Sequence, residues 1–82
     1  MQILEEVADD LAKKALAAYG RTGDEGILDR IGEVLGSSSQ TLMEAYLTAV
    51  RIRRAEMRAR TLLADFEKNV ADVEAGGGEA RN

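Results

Sequence analysis

The chain contains no cysteine, no histidine, no proline and no tryptophan, and only two tyrosines and one phenylalanine. Each absence closes a route. Without cysteine and histidine there are no disulfides, no thiolate or imidazole metal sites, and neither of the side chains most used for nucleophilic and acid-base chemistry near neutral pH. Without proline, and with β-branched and aromatic residues sparse, almost every residue outside the glycines favours helix. No apolar run approaches the ~20 residues of a membrane span, and the start Met1-Gln2-Ile3-Leu4-Glu5-Glu6 has no basic and apolar leader pattern. The expectation is a cytoplasmic, all-α protein with no membrane and no small-molecule substrate.

What is present is 82 residues with a net charge of -4. A single domain of this size has a small core and gains from a supplement, and with disulfides and metals excluded, self-association is what remains. Charge is segregated along the chain. Residues 1–36 hold eight acids and four bases, residues 37–60 two acids and five arginines, and residues 61–82 five acids and two bases.

Hydrophobic spacing divides the chain into three helices in one domain over residues 1–75. The first, 2–19, sets Ile3, Leu4, Val7, Ala8, Leu11, Ala15, Leu16 and Tyr19 at helical intervals, with Gly20 as its stop. In the connector Gly20-Arg21-Thr22-Gly23-Asp24-Glu25-Gly26, the glycines lack the order of a phosphate-binding loop. Thr22 and Glu25 there fit a capping box. The second helix, 25–35, gathers Ile27, Leu28, Ile31, Val34 and Leu35 on one broad face, stops at Gly36, and is too short to stand alone. Ser37, Ser38 and Ser39 supply a corner and an N-cap. The third helix, 40–75, would be on the order of 50 Å long, followed by a mobile glycine-rich tail at 76–82.

The third helix carries the most informative pattern. Steps alternating between three and four residues give Leu42, Ala45, Ala49, Ile52, Glu56, Ala59, Leu63, Phe66, Val70 and Val73, of which nine in ten are apolar. That is a coiled-coil-like heptad seam held over four repeats. A second stripe, Met43, Val50, Met57, Ala64 and Ala71, lies about 100° around the helix, with Tyr46 and Leu47 near its start. The two shorter helices can pack on the first half of the long one, but they are too short to cover Leu62, Leu63, Phe66, Val70 and Val73. The seam thus marks an interface with a copy of the chain, a dimer being favoured, or with a partner helix, and its alanines permit either orientation.

The charged features read as structural. Arg51, Arg53, Arg54, Arg58 and Arg60 have the density a phosphate partner calls for, yet Glu5, Glu6, Asp9 and Asp10 offer counter-charges within the molecule. Glu56, the one charge in the seam, has Arg53 three residues before it and Arg60 four after, so a local ion-pair cluster neutralises it and it fixes register. The pairs Glu5/Asp9 and Glu6/Asp10 share helix faces, but a di-iron bundle needs a Glu-x-x-His on its helices. No catalytic, cofactor-binding or metal residues are assigned, and no cofactor is expected.

Two resemblances define the alternatives. Between Ile31 and Leu42, Gly32 precedes a turn glycine, Gly36, by four residues and Leu42 follows it by six, with Leu35, Thr41 and Ala45 in agreement. This resembles the helix-turn-helix of bacterial regulators, and the resemblance implies that Ser38, Ser39, Gln40, Met43 and Glu44 face the major groove. That surface has no lysine or arginine, and Ser37 stands where an apolar residue is usual. The general outline, a small helical chain with a long last helix, is also similar to subunits or chaperones of bacterial type III secretion needles. Needle subunits turn at a proline-containing motif absent here, so that likeness assigns no residues. The favoured reading is a non-enzymatic interaction protein: a small adaptor, regulatory or assembly-forming subunit.

Overall fold

The structure, a computed structural model, describes residues 2–75; the expected tail at 76–82 lies outside them. It is all-helical: α1 Gln2–Thr22, α2 Gly26–Ser38 and α3 Gln40–Ala75. The polypeptide runs up, down and up. Gly36 faces Met43, Gly32 faces Tyr46 and Leu47, and Glu25 reaches Arg54, so α2 is antiparallel to α3. Asp9 meets Arg53, and Tyr19 lies further along beside Arg54 and Arg58, so α1 is parallel to α3. The long helix therefore packs against both shorter ones.

Helix ends differ from expectation at three points, each for a local reason. α1 does not stop at Gly20; it runs on to Thr22, whose hydroxyl donates to the Ala18 carbonyl at 2.9 Å. The true stop is Gly23, at φ +74°, whose N–H returns to the Tyr19 carbonyl at 2.7 Å. The Thr22–Glu25 capping box does not form. Thr22 is still in α1, and the Glu25 carboxylate is drawn away to Arg54 at 3.2 Å. Asp24 serves instead, accepting the Gly26 N–H at 2.9 Å on one oxygen and Arg30 at 3.0 Å on the other. α2 passes through Gly36, and a Cβ there would lie 2.8 Å from the Met43 sulfur, so this glycine admits a neighbour rather than ending a helix. The corner is one extended residue, Ser39, whose hydroxyl caps α3 by accepting the Leu42 N–H at 3.1 Å.

The core is narrow because α1 presents alanines to it. Ala8, Ala12 and Ala15 are buried beside Leu16, Leu28, Val50 and Tyr46. Small side chains on one face let helix axes approach closely and leave room for a single large residue. Tyr46 fills that room, fully buried, and its hydroxyl donates to the Leu28 carbonyl at 2.9 Å, which satisfies its only polar atom. Burial, reinforced by the negative charge of Asp29, pushes the Tyr46 phenol above its ordinary range, so it stays a neutral donor.

Two stability results follow. Gly20→Ala places a methyl in open space inside a helix and should raise stability by up to about 1 kcal/mol. Gly23→Ala should lower it by about 1–2 kcal/mol, because only glycine adopts that backbone without strain. Urea midpoints check both; the reverse signs would mean that α1 ends at Gly20. Tyr46→Phe, which removes one buried hydrogen bond and keeps the ring, should cost about 1 kcal/mol in the same assay.

Candidate functional site: the outer face of the long helix

The interior uses the second stripe of α3. Val50 and Tyr46 are buried and Met43 is half-buried, whereas the heptad seam lies to one side, with Leu42, Ala45 and Ala49 partly packed against the core and most of the rest turned outward. Leu42, Ala45, Ala49 and Glu56 of that seam are half-buried, and Ile52, Ala59, Leu63, Phe66, Val70 and Val73 are exposed. Ile52 is thus open even within the half of α3 that the shorter helices accompany. The exposures are large: 62% for Ile52, 58% for Leu63, 63% for Phe66, and 70% for the flanking Leu62. Buried side chains of these types normally contribute about 1.5–3 kcal/mol each, so a row of them left in water is unusual for a monomer.

A groove continues the stripe toward the start of α3. Leu4 and Ala8 of α1 form one wall, Ala45, Ala49 and Ile52 the other, and it encloses about 560 Å³. Its lining combines small and apolar side chains with the carboxylates of Glu5, Asp9 and Glu44 and the hydroxyls of Thr41 and Thr48. A second depression, about 480 Å³, lies between Tyr19 and the stretch from Arg54 to Asp65. Neither contains a nucleophile-base pair, and among the described residues no three carboxylates converge on a point.

The five arginines divide in their use. Arg53 makes two hydrogen bonds to Asp9, at 2.7 and 2.6 Å, and a longer one to Glu56 at 3.4 Å. Arg54 reaches Glu25, and its guanidinium lies 5.8 Å from the Tyr19 ring centroid. Arg60 pairs with Glu56 at 2.9 Å. Arg51 and Arg58 are exposed and make no ion pair among the described residues. Of the acids named as counter-charges, only Asp9 meets an arginine; Asp10 pairs with Lys14 on its own helix. The partner of Arg54 is Glu25, beyond α1, and only the three-dimensional fold could have pointed to it.

Of the residues of the helix-turn-helix pattern, Ser39 and Met43 are engaged at the corner, while Ser38, Gln40, Thr41 and Glu44 are exposed. The Ser39 hydroxyl caps α3, Gln40 donates to Glu44 at 3.3 Å, and Met43 lies half-buried against Gly36. No helix of the described residues is long and apolar enough to cross a membrane. No protein-family model, curated protein or solved structure matches the chain, so the geometry itself must carry the functional reading.

Ion pairing leaves a pH signature. The hydrogen bonds from Arg53 hold Asp9 below the usual carboxylate range, those from Arg30 and the Gly26 N–H do so for Asp24, and Arg60 does so for Glu56. These acids are depressed in the folded chain, so the unfolded chain takes up their protons first as pH falls. Their contribution is complete above the ordinary carboxylate pKa of about 4 and is lost as pH drops through the folded values. Thermal melts should therefore show a fall in Tm below about pH 4, and Arg53→Met should both lower Tm at neutral pH and shrink that fall. A Tm unchanged between about pH 5 and pH 2.5 would contradict the assignment.

Proposed function

We propose that this chain acts without catalysis, as a helical interaction protein whose working surface is the outer face of α3. The supporting observation is the exposed row Ile52, Leu63, Phe66, Val70 and Val73 at heptad spacing, which its own two companion helices leave open. Heptad spacing has a specific consequence: it keeps one apolar line straight only along a helix wrapped on another helix, so the complement to this surface is a helix. A second copy of the chain supplies one with the same spacing. The carboxylates that might have served chemistry are held in ion pairs or stand in solvent, and no histidine or cysteine is present to activate them.

A DNA-binding role draws no support from the corner. Three of the five arginines have acid partners in the same molecule, and Met43, one of the residues a recognition helix would offer, is turned onto Gly36. Nucleic-acid affinity depends on cations set against phosphates, and the corner has none.

Sedimentation equilibrium tests the reading. The wild-type chain should have a mass above that of the 8.9 kDa monomer, and Phe66→Asp, which puts a charge in the apolar row at an exposed position, should return it to monomer while the packed core of the three helices still unfolds cooperatively. A monomer at high micromolar concentration would rule out self-association. In a gel-shift assay at low salt, duplex DNA should show no binding; a shift abolished by removing Arg51 and Arg58 would replace this reading with the nucleic-acid one.

A further inference from the structure

We infer that the second copy docks antiparallel, so that the overhanging half of each α3 lies in the partner's groove between α1 and α3, with Phe66 seated over Ala49. This rests on the self-association reading above and adds its geometry.

The inference starts from an asymmetry of volume along one face. The early seam has small residues at its middle, Ala45 and Ala49, which with Leu4 and Ala8 line a groove whose rim also carries Glu5, Asp9 and Glu44. The late seam is large, with Leu63, Phe66, Val70 and Val73 exposed on a stretch of helix that no other described element covers. Close packing needs large against small. Turning a second chain end for end brings the two halves together in a single register. Leu42 then stands opposite Val73, Ala45 opposite Val70, Ala49 opposite Phe66, Ile52 opposite Leu63, and Glu56 opposite Ala59. All ten seam positions are used, and each pair joins the two alternate positions of the heptad, as antiparallel packing demands.

The relation is also self-consistent. Each pair is its own reciprocal, so the contact closes on a two-fold axis between Met57 and Arg58 and leaves no further surface of the seam to recruit a third chain. The seam runs 31 residue steps, ~46 Å, and at a helix width of ~10–12 Å its footprint is on the order of 500 Å² per copy. Two copies reach ~1,000 Å² before the groove walls are added, the size at which specific interfaces begin.

Parallel, in-register pairing fails on the same residues. It sets Ala45 on Ala45 and Ala49 on Ala49, which leaves voids beside the groove, and it crowds Phe66 against Phe66. It also brings the two Glu56 carboxylates together in the seam. In the antiparallel register Glu56 lies over Ala59 and keeps its ion pairs to Arg60 and Arg53 of its own chain.

The chain has no cysteine, so single labels can be introduced cleanly at Arg58→Cys and Lys68→Cys, both exposed and both outside the seam. With a nitroxide at each site, pulsed electron resonance on the full-length dimer reads the distance between equivalent residues. Antiparallel docking offsets the two copies of residue 58 along the axis by only ~1.5 Å and those of residue 68 by ~32 Å. The distance at residue 68 should therefore exceed that at residue 58 by more than about 10 Å. Equal short distances at both sites would overturn the antiparallel arrangement while leaving self-association standing. No inter-spin signal at either site, under conditions where label-free chain is also monomeric, would overturn both.

Discussion

Two helices of 21 and 13 residues cannot accompany one of 36, and that mismatch of length governs the molecule. At ~1.5 Å per residue, α1 extends ~32 Å, α2 ~20 Å and α3 ~54 Å. With α1 and α3 side by side, about two-fifths of α3 extends past the shorter helices among the described residues. A helix so placed in water is stable only if its exposed face is polar or if something else covers it. Here the overhang has Leu62, Leu63, Phe66, Val70 and Val73 exposed, so the sequence has not adapted that face to solvent.

The interior explains why the uncovered face is the heptad one. α3 has two apolar stripes, and α1 offers a face of alanines that admits only a thin core. The stripe containing Tyr46 and Val50 turns inward because Tyr46 can both fill the space above Gly32 and donate to the Leu28 carbonyl, a contact no residue of the other stripe could make. Once that stripe is committed, helical geometry directs Ile52, Leu63 and Phe66 away from the bundle. The internal fold and the external surface are therefore consequences of a single rotation of α3 about its axis.

Much of this was legible in the sequence. Period and composition located three helices, the start of α3 and a serine cap before it, since those depend on residues close together in the chain. Errors arose where a local motif competed with a distant partner. Glu25 fits a capping box by spacing, but it pairs with Arg54, 29 residues away. Gly20 and Gly36 look like helix stops because glycine commonly is one, yet among the described residues only Gly23 takes the left-handed backbone that ends a helix. Pairing of the arginine cluster with the acids of α1 was legible as a group, but not that Asp9 and Arg53, 44 residues apart, would be the pair. Tyr46 could have been found: it lies at helical spacing from Met43 and Val50, and one aromatic among alanines is the natural plug for a thin core.

Adjacent residues in a helix point about 100° apart, and the arginines of α3 exploit this. Arg53 turns to α1 and holds Asp9, while Arg54 turns the other way to Glu25 at the entry to α2. Each pair is partly solvent-exposed and adds modestly to stability; Arg54–Glu25 stands where α2 begins, while α1 continues past Arg53–Asp9 to bring Tyr19 beside Arg58, and together the two pairs help set which face of the long helix the shorter ones occupy. Arg60 and Glu56 then neutralise each other at the start of the overhang. The densest charge in the chain is in this way largely consumed at the boundary between the covered and uncovered halves of α3. Beyond that boundary Asp65, Glu67 and Lys68 lie off the seam, and the seam itself holds nothing but apolar side chains. On the proposed interaction reading, selectivity for a partner would come from shape, and shape is where the two halves of this helix differ most.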